Sequence, residues 1–183
     1  GGALRICVRG TGPGKLGIAL ARGGSVRAHL FISHTHADHI QGLPFFRPVF
    51  VPGSHLTVYG PAGIDRSFPA ALGGQMDYAY FPVPMDQLPA TVEIVELAEG
   101  EFNIDGVRIR PQFLNHPAPP LGYRVTSGAA SPVYATDHDA PETATSQPYP
   151  ARRHHADSPH PPPGPAPRAP YSAPPPRAHP NYH

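Results

Sequence analysis

The sequence has little cysteine, little net charge and no long apolar run. Its 183 residues include one cysteine, Cys7, which excludes an internal disulfide and fits a reducing compartment; we expect a buried thiol without a chemical role. The formal net charge is +1, so no strong field draws the whole molecule to nucleic acid or to a membrane. No apolar run approaches the roughly 20 residues that span a bilayer, and the start lacks the pattern of a signal peptide. We therefore expect a cytoplasmic protein with one domain.

The composition changes sharply after about residue 140. Residues 141–183 hold 14 of the 28 prolines and no Ile, Leu, Val, Met or Phe. Such a segment has almost nothing apolar to bury against its ordering entropy, so we expect a disordered tail. The tail could be a proline-rich ligand for a recognition domain. We favour the alternative, that it is an extension read out of frame. The predicted domain is thus 1–140, with 10 Lys and Arg against 11 Asp and Glu.

Short apolar segments separated by turn residues fill the predicted domain. Alternation of apolar and polar residues predicts strands, and the dipeptide Asp105-Gly106 predicts a tight hairpin turn. Helices are fewer and short, so the fold class is α/β with a large share of strand. The predicted strands are 26–33, 55–60, 91–97, a hairpin over 101–113, 121–127 and 131–137; the predicted helices are 14–21, 65–72 and a turn or two within 40–46.

The stretch HTHADH crowds four potential metal ligands into six positions directly after an apolar strand. Imidazole and carboxylate groups suit Zn²⁺ and similar ions. His34 and His36 are two residues apart and lie on the same side of an extended segment, whereas Asp38 and His39 follow at a turn. One loop can therefore give two ligands to each of two ions, and chance clustering in a surface loop is the weaker interpretation.

Two later strand ends carry further candidates. His116 follows a predicted strand within LNHPAPPLGYRV, and Asp137 ends the strand of SPVYATD. Strand ends are positions where loops collect functional groups on a rigid sheet. Taken alone, each residue has a structural alternative, because His116 before Pro117 could be a turn histidine and Asp137 could cap the next segment.

The segments HTHADH, LTVYGPAGI, LNHPAPPLGYRV and VYATD resemble, in that order, the metallo-β-lactamase-fold hydrolases, over about residues 24–139. The nearest branch is the phosphodiesterase-like one that includes ribonuclease Z and the cyclic phosphodiesterase of phosphonate metabolism. The resemblance implies an αββα sandwich with a two-metal site. It also implies that one ion is held by His34, His36 and His116, and the second by Asp38 and His39, with Asp137 bridging.

The resemblance further implies two divalent ions, zinc first and manganese or iron as alternatives, which activate water against a small or cyclic phosphodiester. Asp38 is a candidate for handling the proton. His138 beside Asp137 is a candidate for assisting the leaving group, with an exposed neighbour of no role as the alternative. Nucleic acid is not expected as a partner, because the domain is near neutral. The tRNA-processing members of the family that the sequence resembles also carry a long substrate-binding arm between the third histidine and the aspartate, whereas only 20 residues separate His116 from Asp137 here. The oligomeric state is left open.

The sequence departs from the family pattern at both ends. The family completes its second metal site with a histidine on a strand beyond the aspartate, and it opens with a pair of strands; neither feature is found here. We therefore expect a truncated fold and a second site that holds its ion weakly. Three alternatives stay open: a thioester or lactone hydrolase, an iron-dependent sulfur dioxygenase of the same fold, and an inactive metal-binding fragment.

Overall fold

The computed structural model describes residues 4–8, 12–63 and 66–139 as two four-stranded sheets with short helices. The first sheet, here the parallel sheet, has the order β1-β2-β3-β4, and the second, the antiparallel sheet, has the order β5-β6-β7-β8. The elements are β1 (Leu4–Val8), α1 (Gly12–Ala21), β2 (Arg27–Ile32), α2 (Ala37–Ile40), β3 (His55–Pro61), α3 (Phe68–Gly74), β4 (Thr91–Leu97), β5 (Phe102–Ile104), β6 (Val107–Phe113), β7 (Leu121–Thr126) and β8 (Val133–Tyr134), with 3₁₀ turns at Leu43–Phe45, Arg47–Phe50 and Met85–Gln87.

Strand β2 is buried on both faces, as its apolar run predicts for an inner strand of a parallel sheet. Ala28, Leu30 and Ile32 point to one face, where they pack with β3 and with the helical segments between residues 37 and 76. Phe31 points to the opposite face and packs against the antiparallel sheet. Helices, parallel sheet and antiparallel sheet therefore form three successive layers around two cores.

The antiparallel sheet begins with the predicted hairpin. Asp105 and Gly106 have φ angles of 47° and 77°, the positive values that a tight turn between twisted strands requires. Val107, Ile109 and Pro111 of β6 are buried, and the residues between them are exposed. This strand therefore turns one face to the inter-sheet core and the other to solvent.

Tyr123 of β7 joins the two sheets next to the end of β2. Its ring is fully buried and lies 5.2 Å from that of Phe31, at an interplanar angle of 55°. Its hydroxyl donates a hydrogen bond to the carbonyl oxygen of Ile32 at 2.7 Å. The antiparallel sheet thereby holds the last residue of β2, immediately before the HTHADH segment.

We predict that Tyr123→Phe lowers the free energy of unfolding by about 1–2 kcal/mol, because a buried hydrogen bond is lost and the Ile32 carbonyl loses a partner. Urea unfolding followed by circular dichroism measures this loss. Tyr80→Phe is the matched control, since the side chain of Tyr80 is 80% exposed. Equal stability of the Tyr123→Phe variant and the unchanged chain would contradict the prediction.

Most predicted elements are present, with shifted ends. The predicted strand 131–137 is shorter, since β8 covers only two residues. The predicted turns within 40–46 are instead the end of α2 and a 3₁₀ turn. The predicted helix 65–72 begins later, at Phe68, where Ser67 accepts a hydrogen bond from the Ala70 amide.

Several predictions lie outside what the structure describes. The tail 141–183, its boundary with the domain and Asp65 lie outside the described residues. The burial of the Cys7 thiol is not described either. The helical layer on the far side of the antiparallel sheet, which an αββα sandwich requires, is not among residues 4–8, 12–63 and 66–139. In that same part of the chain no helix is long and apolar enough to cross a bilayer. The cytoplasmic location stays a prediction.

Candidate metal centre

The candidate site forms where β2 ends. The buried strand stops at Ile32, and His36 has an extended backbone with φ −62° and ψ 147°. The His36 carbonyl oxygen then accepts hydrogen bonds from the amides of His39 (2.9 Å) and Ile40 (3.2 Å), which starts the single turn of α2. Asp38 and His39 therefore lie on a helical turn that folds back beside His34, as the sequence predicts.

Three histidines form the first group of potential ligands, here the first triad. His34, His36 and His116 each offer a ligand atom, and these atoms lie within 4.8 Å of one another. The His34 Nε2 and His36 Nδ1 atoms are 2.9 Å apart. The ring of His116 lies 5.7 Å from that of His34 and 6.0 Å from that of His36, centroid to centroid. The loop after β6 thus brings His116 to the HTHADH segment.

A second triad shares one member with the first. His34, His39 and Asp137 also offer ligand atoms within 4.8 Å of one another. The Oδ2 atom of Asp137 lies 2.7 Å from His39 Nε2 and 3.7 Å from His34 Nε2. Asp137 has a φ of 54°, a left-handed conformation that is uncommon outside glycine and that often marks functional positions.

Ser33 holds two of these imidazoles. Its fully buried hydroxyl oxygen lies 2.9 Å from His39 Nδ1 and 3.2 Å from His34 Nδ1. The Ser33 carbonyl oxygen accepts a hydrogen bond from the Leu121 amide at 2.8 Å, so β7 fixes the residue in place. Both rings therefore turn their Nδ1 atoms to Ser33 and their Nε2 atoms towards Asp137.

The loop that carries His116 is joined to the segment after Asp137. The Asp139 amide donates to the Asn115 carbonyl oxygen (2.7 Å), and the Asn115 side-chain amide donates to the Asp139 carbonyl oxygen (3.2 Å). His116 Nδ1 lies 2.9 Å from Asp139 Oδ2. The exposed His138 accepts a hydrogen bond from the Asn115 amide through Nδ1 at 3.3 Å. Its predicted role with the leaving group stays a prediction.

The electrostatic environment favours a neutral His34. Burial, followed by repulsion from the neighbouring His39 and His36 rings, lowers the pKa of His34 to about 4, although Asp137 acts in the opposite direction. An imidazole with this pKa is neutral near neutral pH, and the neutral ring is the form that binds a metal ion.

The residues present fit a divalent metal ion. The His39 Nε2 atom is buried and has no hydrogen-bond partner among the described residues, although Asp137 Oδ2 approaches it closely. Ligand nitrogens of a tetrahedral zinc ion lie about 3.3 Å apart, because Zn–N bonds are about 2.0–2.1 Å long. The distance from His34 Nε2 to His36 Nδ1 is 2.9 Å and that to Asp137 Oδ2 is 3.7 Å, and these two values fall on either side of that separation. Imidazole and carboxylate donors are also the ligands that zinc accepts.

The arrangement differs from the predicted division of ligands in two respects. His34 belongs to both triads, whereas the sequence places it with one ion only. Asp38 belongs to neither triad; its side chain is 60% exposed, and its Oδ2 lies 3.2 Å from His39 Nε2. Sequence reasoning also missed Ser33 and Asp139. The only signal for them is their position, since each lies within two residues of a predicted ligand.

We predict that the metal-free chain loses stability as the pH falls from about 6.5 to 4. The unfolded chain protonates His34 near 6.5, whereas the folded chain does so near 4. Between these values the unfolded state binds more protons, so the free energy of unfolding decreases, by up to about 3 kcal/mol from this residue.

Urea unfolding at a series of pH values, with a chelator present, measures this loss. A His34→Gln variant removes the titrating group and should show a flatter dependence over the same interval. Identical slopes for the variant and the unchanged chain would contradict the assignment to His34.

Comparison with known proteins identifies the family. The sequence profile of the beta-lactamase superfamily domain matches residues 21–156. The chain belongs to this superfamily. Two relatives are ribonuclease BN of Proteus mirabilis, 34% identical over 101 residues, and ribonuclease Z of Macrococcus caseolyticus, 35% identical over 102 residues. These matches cover 52% and 53% of the chain and 30% of each relative, so the chain spans about a third of the length of the curated relatives it matches.

Two solved structures are also similar. The short form of human tRNase Z is 18% identical, with a TM-score of 0.46 over 69% of this chain and 55% of that one. A diphosphatase from the PhnP family is 23% identical, with a TM-score of 0.47 over 69% of this chain and 46% of that one. The family match confirms the predicted recognition at the level of the superfamily, and the curated relatives that the chain is similar to are named ribonuclease BN and ribonuclease Z.

Proposed function

We propose that the beta-lactamase superfamily domain of this chain hydrolyses phosphodiesters with the help of divalent metal ions, zinc first among them. The observation that carries the proposal is the pair of overlapping triads, which gather four histidines and Asp137 at the end of one strand. Divalent ions bound at such a site activate water and neutralise the charge that develops on phosphoryl oxygens. The proposal includes two metal positions, one at each triad.

The chain's own residues prepare the site for this chemistry. His34, His36 and His116 would hold the first ion through three neutral imidazoles. His39 and Asp137 would hold the second, and Asp38 lies close enough to His39 to join them. Ser33 orients two of the imidazoles before any ligand arrives, which lowers the cost of ordering the site.

Asp38 is the candidate for handling the proton, and His138 is the candidate for assisting the leaving group. The Asp38 side chain is largely exposed beside His39 Nε2 and can exchange protons with solvent. His138 accepts a hydrogen bond through Nδ1, so its Nε2 atom carries the proton and can donate a hydrogen bond to a leaving-group oxygen. Both assignments belong to the proposal.

The substrate proposed first is a small or cyclic phosphodiester. The predicted domain has nearly balanced charges, which gives little of the basic surface that a polynucleotide requires. The names of the ribonuclease relatives favour an RNA phosphodiester as the second candidate, so the comparisons do not support the expectation that nucleic acid is not a partner. Thioester, lactone and sulfur dioxygenase chemistry remain alternatives that the donor set alone does not separate.

We predict slow zinc- or manganese-dependent hydrolysis of bis(p-nitrophenyl) phosphate, monitored by the release of p-nitrophenolate. The rate in the His36→Ala variant should fall to that of buffer with the same metal, because the first triad loses a ligand. His55→Ala is the matched control, since His55 is an exposed histidine at the start of β3 and outside both triads.

Parallel assays separate the alternatives. A single-stranded oligoribonucleotide cleaved faster than the small diester would favour the RNA candidate. Turnover of a thioester or lactone with none of either phosphodiester, or stoichiometric iron with oxygen consumption, would overturn the phosphodiesterase proposal.

A further inference from the structure

Two histidines of the candidate metal centre share an orientation. Ser33 contacts the Nδ1 atoms of His34 and His39, and the Nε2 atoms of these rings lie near Asp137 Oδ2. A metal-ligating histidine commonly makes this kind of contact, in which the nitrogen away from the metal bonds to a protein group and fixes the ring. Ser33 does not contact His116, which comes from another loop.

Asp139 makes the corresponding contact with His116. Its Oδ2 atom lies 2.9 Å from His116 Nδ1. The backbone of Asp139 is held by Asn115 through two hydrogen bonds, of 2.7 Å and 3.2 Å, so the carboxylate is anchored beside the ring that it contacts. The contact therefore adds to two hydrogen bonds that already join the loops that carry His116 and Asp137.

A carboxylate only accepts hydrogen bonds, so His116 must carry a proton on Nδ1 to make this one. Its Nε2 atom then keeps a free electron pair, which is what a metal ion binds. We propose that Asp139 is a positioning residue that fixes the ring orientation and the tautomer of His116. The Nε2 atom of His116 then faces the ligand atoms of His34 and His36 in the first triad. This inference rests on the metal centre of the proposed function.

Asp139 is not itself a ligand in this account. It belongs to neither triad, and its side chain is 53% exposed. Outer contacts of this kind change metal affinity by about 10–100-fold. Because water reaches the pair, we expect the lower end of that range, about tenfold, for its removal.

The test compares Asp139→Ala, Asp139→Asn and the control Asp86→Ala, an exposed aspartate on the 3₁₀ turn Met85–Gln87. Zinc affinity is measured by calorimetric titration of the full chain at pH 8. Asp139→Ala should bind zinc about tenfold more weakly. Asp139→Asn should lose less, because an amide oxygen still accepts the bond, and Asp86→Ala should not change.

The second measurement is independent of metal. Long-range ¹H–¹⁵N correlation spectra of the metal-free chain at pH 8 show which ring nitrogen of His116 carries the proton. It should be Nδ1 in the unchanged chain and in Asp139→Asn, whereas Asp139→Ala should show exchange between both nitrogens.

Equal losses of affinity in Asp139→Asn and Asp139→Ala would indicate an effect of charge alone and would overturn the proposal. An unchanged tautomer in Asp139→Ala would also overturn it. If the unchanged chain binds no zinc, the proposed function fails, and the spectra still decide whether Asp139 orients His116.

Discussion

Replacing His34 with alanine is expected to abolish tight zinc binding. His34 belongs to both triads, it is buried, and its lowered pKa keeps it ready to bind. Outer contacts of metal ligands are worth about 10–100-fold in affinity, so the loss of a ligand itself should weaken the tight position by more than about 100-fold. Calorimetric titration of the apo chain with zinc measures this change.

The matched control for this variant is His55→Ala, which removes an exposed imidazole outside both triads. A thermal melt of the metal-free variants separates loss of ligation from loss of folding, because zinc should raise the melting temperature of the control but not that of His34→Ala. Zinc binding by His34→Ala within a few-fold of the unchanged chain would contradict the role given to His34.

The second large effect concerns the inequality of the two positions. One imidazole nitrogen binds one ion, so the two triads cannot both have three ligands when His34 is shared. The first triad keeps His36 and His116, whereas the second keeps His39 and Asp137, with Asp38 as a largely exposed addition. We therefore expect one tight equivalent of zinc and a second that is weaker by at least tenfold.

Variants separate these two positions. His39→Ala should remove the weak equivalent and leave the tight one largely intact, and His116→Ala should do the reverse. Two equally tight equivalents in the unchanged chain would show that a donor outside the described residues completes the second position.

The HTHADH segment could be read from the sequence because its chemistry is local. A buried strand followed at once by four ligand-type residues fixes both the place and the kind of site. His116 and Asp137 could be named only through the order of motifs in a known family, because nothing local separates them from a turn histidine or a capping aspartate. The hairpin turn at Asp105-Gly106 was predictable for a local reason too, namely the positive φ angles that it requires.

The contacts of Ser33 and Asp139 could not be predicted from the sequence, because they depend on distances across the fold. Ser33 contacts His39 six residues later, and Asp139 contacts His116 twenty-three residues earlier. The sharing of His34 between both triads likewise depends on where Asp137 lies after β8. Serine and aspartate are common in loops, so their types carry no signal until the loops are placed together.

The most direct test of the metal centre is a crystal structure of the chain grown with zinc, with anomalous diffraction measured at the zinc edge. We expect a strong anomalous peak bonded to His34, His36 and His116, and a weaker or absent peak between His39 and Asp137. A well-occupied zinc ion held elsewhere, with none among the three histidines of the first triad, would contradict this expectation.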